Sequence, residues 1–124
     1  MTSVVDASVV LAWLQDEPGA DEAERHLVDG IIGAANWSEV LQKARQHGAD
    51  ANLVARLLVS FGLEVAEVTR TDAERAARLW RRGSGVSLAD RLCLALGLRI
   101  GEPVVTTAAS WATIPGAPAV AITR

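Results

Sequence analysis

Apolar positions fall into short continuous runs separated by segments with helical spacing. Residues 2–5 read as a short buried strand that Asp6 ends, and residues 7–14 (ASVVLAWL) as a helix starting right after it. Pro18-Gly19 marks a turn before a short charged helix over residues 21–28. Residues 30–35 (GIIGAA) predict a second strand. Asn36 then opens a helix to about His47, with Glu39 at the capping-box position and Gly48 as its stop. Asp50 can cap the next helix, where Leu53, Val54, Leu57, Leu58 and Phe61 recur at helical spacing until Gly62. Residues 63–68 predict a third strand. Residues 71–82 predict a helix with Thr71 and Glu74 as a capping pair, and Gly83-Ser84-Gly85 breaks the chain after it.

Residues 85–109, GVSLADRLCLALGLRIGEPVVTTAA, are the most informative stretch. Ser87 is a natural N-cap, and Asp90 stands where a capping-box acid belongs. The run from Leu88 to Ile100 is apolar almost all round, which predicts a helix packed on a sheet on one side and covered on the other. Gly101 suits the position just past the helix, and Pro103 forbids its continuation. Val104 and Val105 read as a short, fully buried parallel strand. Beyond Trp111 the chain is expected to turn through Pro115-Gly116 and Pro118, with a last strand over residues 119–123.

This alternation predicts an α/β fold, a parallel sheet of about five strands flanked by helices. At 124 residues, half of them hydrophobic, one domain spanning 1–124 with a real core is expected. The lone Cys93, mid-helix among leucines, reads as a buried structural thiol. There is no basic-then-apolar leader and no bilayer-spanning apolar run, so a cytoplasmic protein with no membrane association is expected. The formal net charge of −3 argues against holding nucleic acid by bulk positive charge, but leaves room for a local basic patch or a metal-neutralised site, and the few aromatics, with no tyrosine, argue against a base-stacking platform.

Ligands of open α/β sheets bind outside the carboxyl ends of the strands. Three acids fall there: Asp6 after the first strand, Glu39 near the start of the helix after the second, and Asp90 near the start of the helix before the fourth. Carboxylates gathered at one edge repel and take up protons unless a cation neutralises them. Mg²⁺ and Mn²⁺ prefer such hard oxygen ligands and retain water. The other reading is that Glu39 and Asp90 merely cap their helices, as Asp6 can cap the helix that follows it.

The segments VVDASVVLAWLQDEPGA, AANWSEVLQKARQHG, LEVAEVTRTDAERAARL and GVSLADRLCLALGLRIGEPVVTTAASWA, taken together and in order, resemble the PIN-domain VapC toxins of bacterial toxin–antitoxin pairs. The resemblance implies an α/β/α sandwich and a metal-dependent endoribonuclease using Mg²⁺ or Mn²⁺ on RNA. It also implies homodimerisation and neutralisation by a cognate VapB-like antitoxin. The family's first three acids fall on Asp6, Glu39 and Asp90, as catalytic and metal-binding residues. Its fourth acid is expected where Ala108 stands, with Trp111 in register. Alanine cannot ligate metal, so either three acids suffice or the chain is an attenuated form, natural or engineered. The alternative to a working nuclease is a PIN-fold interaction module that only binds its antitoxin or dimer partner.

Around these acids, the resemblance suggests that the Ser8 and Thr106 hydroxyls face the site, although both also suit ordinary helix starts and strand ends. Asn36 is expected as the N-cap that aims Glu39. Arg78, Arg81, Arg82 and Arg91 flank the glycine break, either as RNA phosphate contacts, Arg91 foremost, or as a solvated face near a helix C-terminus. Arg91 has the further option of pairing with an acid. His26 and His47 lack metal-ligand spacing and read as surface residues. The four tryptophans read as packing residues, with Trp13 and Leu14 able to serve a dimer or antitoxin surface. A receiver domain is excluded: Asp6 stands alone, no phosphoacceptor follows the third strand, and the only lysine is Lys43. No G-x-G-x-x-G, G-K-[ST] or G-x-S-x-G motif is present.

Overall fold

A computed structural model of the chain describes residues 2–114, 116 and 119–122, without the side chains of 112 and 113. The strands are β1 (Val4–Val5), β2 (Ile31–Gly33), β3 (Glu64–Ala66), β4 (Val104–Thr106) and β5 (Ala119–Ala121). The helices are α1 (Ala7–Leu14), α2 (Ala20–Leu27), α3 (Ala34–Gln46), α4 (Ala51–Ser60), α5 (Arg70–Arg78) and α6 (Leu88–Ile100), with a 3₁₀ turn at Ala109–Thr113. Pro115, Pro118 and Thr123, part of the expected final turn and strand, lie outside the described residues.

The sheet is parallel throughout, in the order β3-β2-β1-β4-β5. Successive side chains of a strand point to opposite faces, and each pair of valines divides accordingly. Val5 and Ile32 join Val9, Val10, Leu27, Val40 and Leu58 in the core under α1–α4. Val4 and Val104 join Cys93, Leu94, Leu96 and Trp111 in the core under α6. A two-residue strand offers few ladder hydrogen bonds. Burial of each valine, worth about 1.5–3 kcal/mol, is what fixes β1 in the centre. The result is an α/β/α sandwich with a parallel five-stranded sheet. Trp13 is half-buried and meets Phe61 edge-on, with ring centroids 5.3 Å apart.

Several expected boundaries shift, each for a local reason. The second strand stops at Gly33, and the helix starts at once on Ala34, so Asn36 lies inside the first turn and is not the N-cap. A Cβ at position 33 would come within 3.3 Å of Asn36 Oδ1 and 3.4 Å of Leu96 Cδ2, so glycine lets α3 begin tightly against α6. The helix expected from residue 71 to 82 runs from Arg70 to Arg78, and its capping box is Thr69 with Asp72, not Thr71 with Glu74. The α6 box of Ser87 with Asp90, and its stop at left-handed Gly101, stand where the sequence puts them. The outer side of α6 is only partly covered by α5: Leu88 is 59% exposed and Leu98 also faces water.

Candidate functional site at the carboxyl edge

Because all strands run the same way, their carboxyl ends share one edge. The order reverses between β1 and β4, since the chain first builds outward to β2 and β3 and then returns to the other side of β1. Such a switch point is where α/β sheets leave a crevice. Asp6 follows β1 there, and Thr106 ends β4.

Asp6 is buried, and both its oxygens accept hydrogen bonds. Its Oδ1 accepts from the Ser8 N–H at 2.9 Å, the Val9 N–H at 3.3 Å and the Ser8 hydroxyl. Its Oδ2 accepts from Thr106 Oγ1 at 2.8 Å, which bridges the switch point. The Ser8 oxygen in turn accepts from the Thr107 N–H at 3.0 Å, and Thr106 Oγ1 from the Ala108 N–H at 3.0 Å. Ser8 and Thr106 therefore hold Asp6 in one orientation, with α1 capped by the same carboxylate. Burial pushes the Asp6 carboxyl above the ordinary range; hydrogen bonds from Ser8, Thr106 and Val9 oppose this, and the charge of Asp90 adds to it.

Glu39 is half-buried on α3, one turn past Asn36. The buried Asn36 Nδ2 donates to Glu39 Oε1 at 3.0 Å and to the Ala89 carbonyl of α6 at 3.4 Å. Two acceptors on one side fix the amide assignment, and they leave Asn36 Oδ1 buried without a partner. The expected role of Asn36 as a helix cap is thus replaced by a direct hold on Glu39 from within the helix. Burial also raises the Glu39 carboxyl; the Asn36 bond opposes this, Asp90 reinforces it, and Lys43 lowers it slightly.

Asp90 turns one oxygen back to its own helix, where Oδ2 accepts from the Ser87 N–H at 3.1 Å. It nonetheless acts on both other acids. Cys93, one turn along α6 from Asp90, has a buried thiol that is pushed well up by desolvation, then by the charges of Asp6, Asp90 and Glu39. Its Sγ points to the Val5 carbonyl at 3.8 Å.

The three acids thus share one electrostatic neighbourhood, but they do not close on a common point. Among the described residues no three acidic, histidine or cysteine side chains converge tightly enough to chelate an ion as they stand. Like charges oriented by separate scaffolds keep their distance. Mg²⁺ characteristically takes one or two carboxylates directly and completes its shell with water and phosphate. The donor chemistry of Asp6, Glu39 and Asp90 is all carboxylate oxygen, which suits Mg²⁺ or Mn²⁺ better than Zn²⁺ with its nitrogen and sulfur ligands.

Ala108 sets a half-buried methyl against the α6-side core where a fourth acid was expected. Arg91 does not stay beside Asp90. Its Nη1 donates to the Ala76 carbonyl of α5 at 2.8 Å, and its buried Nε has no partner. A second clamp went unforeseen in the sequence: Arg99 at the far end of α6 grips the buried Asp72 of α5 at 2.9 and 3.1 Å. Its only signal was an acid and a base at opposite ends of two adjacent helices. His26 is half-buried and bonds Ser3 Oγ at 2.8 Å, whereas His47 is exposed.

A family model described as PIN domain matches residues 3–112. The chain is 32% identical over 114 residues to the VapC ribonuclease Mb2780c of Mycobacterium bovis, covering 82% of this chain and 87% of that protein. It is equally similar to ribonuclease VapC42 of Mycobacterium tuberculosis, at 32% identity and the same coverage. Among solved structures it superposes on Mycobacterium tuberculosis VapC20, described as a sarcin-ricin loop cleaving toxin. The TM-score is 0.72 at 17% identity, over 98% of this chain and 100% of that one. It also superposes on a chain of a toxin–antitoxin complex from Klebsiella pneumoniae, with a TM-score of 0.69 at 22% identity, over 92% and 93%. These two likenesses bear on the fold. No helix among the described residues is long and apolar enough to cross a membrane.

Proposed function

The chain belongs to the VapC ribonucleases of the PIN-domain family, and from that membership we propose that it is a metal-dependent endoribonuclease whose site is Asp6, Glu39 and Asp90. The observation that carries the reading is the meeting of β1, α3 and α6 at the sheet's switch point, where Thr106 bridges to Asp6 and Asn36 ties Glu39 to the Ala89 carbonyl next to Asp90. Mg²⁺ or Mn²⁺ held there supplies charge neutralisation of a phosphodiester and acidifies the attacking water. Asp6 is the rigid donor, oriented by Ser8 and Thr106. Asn36 aims Glu39. Asp90 contributes the oxygen that its helix cap leaves over. RNA is the substrate, and a VapB-like antitoxin and a second copy of the chain are the protein partners. A cytoplasmic location goes with that substrate.

Ala108 favours a second reading, a PIN fold that binds its partners without useful catalysis. One experiment separates the two. The purified chain, free of antitoxin, is incubated with structured cellular RNA and Mn²⁺, with and without a chelator. Asp90→Asn runs in parallel. Chelator-sensitive cutting by the chain, reduced at least 100-fold in Asp90→Asn, is the expected outcome, in line with the weight of one charged group at a metal centre. An equal rate in Asp90→Asn would sink the site assignment. No cutting by the chain would leave the binding-only reading.

A further inference from the structure

Residues 70–82 carry five arginines against two acids, whereas the rest of the chain carries seven cations against thirteen acids. This is a basic island on an acidic molecule. Both acids of the island are engaged: Glu74 with Arg70 at 3.3 Å on the surface, and Asp72 with Arg99 of α6. No acid among the described residues pairs with Arg75, Arg78, Arg81 or Arg82.

A run of charge alone is an ordinary solvated face, and what sets this one apart is Trp80. Its indole is 53% exposed at the end of α5, although burying it would remove a large apolar surface from water. The Arg82 guanidinium lies over the ring, 5.8 Å from its centroid. Arg81 folds back, its Nη1 donating to the carbonyls of Arg78 and Trp80 at 2.8 Å each, and so stiffens the turn that presents the indole. Beside it, Arg75, Arg78, Leu79 and Leu98 line an open groove of about 320 Å³. An exposed aromatic on a rigid turn, with cations around it, is the equipment for stacking an unpaired base while neutralising its phosphates.

Two clamps fix this turn relative to the acids. Arg91, next in the chain to Asp90, holds the Ala76 carbonyl, and Arg99 holds Asp72 at the opposite ends of the two helices. The last turn of α5 is therefore tied directly to the first turn of α6, where Asp90 stands.

Resting on the ribonuclease reading, we propose that Trp80, with Arg78 and Arg82, binds an unpaired nucleotide of the RNA beside the acidic site and so selects single-stranded or looped RNA over duplex. Arg91 is a positioning residue that holds this platform against Asp90.

Binding is measured in chelator, where no cutting occurs, so the result is independent of whether the chain proves to be a nuclease. A fluorescein-labelled RNA hairpin with an unpaired loop is titrated with the full chain, with a fully paired duplex of equal length as competitor. The hairpin should bind at least ten-fold more tightly than the duplex. Trp80→Ala should weaken hairpin binding about ten-fold, and Trp80→Phe should recover most of it, as a stacking role requires. Arg78→Gln should reduce the slope of log affinity against log salt by about 0.7, one phosphate contact on a single strand. Both positions are exposed, and an unchanged thermal melt verifies that each variant is folded. Hairpin binding by Trp80→Ala within two-fold of the parent, or equal competition by duplex, overturns the proposal. Weakened antitoxin binding with unchanged RNA binding in Trp80→Ala does so too, assigning the patch to a protein partner.

Discussion

Ala108 stands where the resemblance puts a fourth acid, and its surroundings say what an acid would meet there. Its backbone is already extended, at φ −87° and ψ 93°, so aspartate needs no change of path. Its N–H bond to Thr106 Oγ1 involves only the backbone and would persist. The methyl, however, packs on the α6-side core, so a carboxylate is partly desolvated and joins three existing negative charges. Ala108→Asp should therefore lower the melting temperature in chelator, by a destabilisation of about 1–2 kcal/mol. With Mn²⁺ it should cut RNA at least ten-fold faster and reach half-maximal rate at lower Mn²⁺. A cleavage assay across Mn²⁺ concentrations checks both points, and an unchanged profile would mean that three acids suffice. Reading at this scale worked where chemistry is local: the capping of α1 by Asp6 through Ser8 and Val9, and the Ser87–Asp90 box, join residues two or three apart. It fell short for Asn36 and Arg91, because Ala89 and Ala76, whose carbonyls they hold, are 53 and 15 residues away.

At the scale of elements, the start of α5 shows why a correct pattern can still give the wrong boundary. The sequence contains two overlapping capping boxes, Thr69 with Asp72 and Thr71 with Glu74. Local rules favour neither. The choice falls to Asp72 because α6 delivers Arg99 to its carboxylate, a contact invisible along the chain. Burial pushes the Asp72 carboxyl up, but the Arg99 hydrogen bond, the Thr69 N–H, the Arg99 charge and the Thr69 hydroxyl outweigh it, so it titrates below the ordinary value of 3.8. A carboxyl depressed by folding stabilises the folded chain above its unfolded pKa, and that contribution is lost as pH falls through the folded value. The Asp72 contribution should therefore be complete at pH 5 and decline below about pH 3.8. Asp72→Ala, which removes cap and clamp together, should cost about 2–3 kcal/mol at neutral pH. Urea unfolding at pH 7 and at successively lower pH tests this. The stability difference between parent and variant should shrink on acidification, and a constant difference would refute the linkage.

For the whole molecule, the parallel sheet and the gathering of its strands' carboxyl ends at one edge were legible because the alternation of buried runs and amphipathic helices admits few other topologies. The spacing of the acids was not, since it depends on how α3 and α6 meet across Asn36 and Gly33. Three elements far apart in sequence, the β1–α1 junction, α3 and α6, each bring one acid to that edge, and each acid is held by its own scaffold. In the folded chain burial, and behind it the charge of Asp90, disfavours the ionised forms of Asp6 and Glu39; in the unfolded chain these carboxylates are hydrated. The site thus works against folding at neutral pH, and a cation that binds only the assembled edge must stabilise the whole fold. At a concentration 100 times its dissociation constant, an ion should add about 2.7 kcal/mol. For a chain of this length, that corresponds to a rise in melting temperature of roughly 8–12 °C. Differential scanning calorimetry with Mn²⁺, Mg²⁺ and Ca²⁺ measures the rise directly and needs no RNA. Asp90→Asn keeps a side-chain oxygen for the Ser87 N–H and should gain less from Mn²⁺ than the parent does. A parent whose melting temperature ignores Mn²⁺ at millimolar concentration would separate the acids from any metal role, whatever the chain does to RNA.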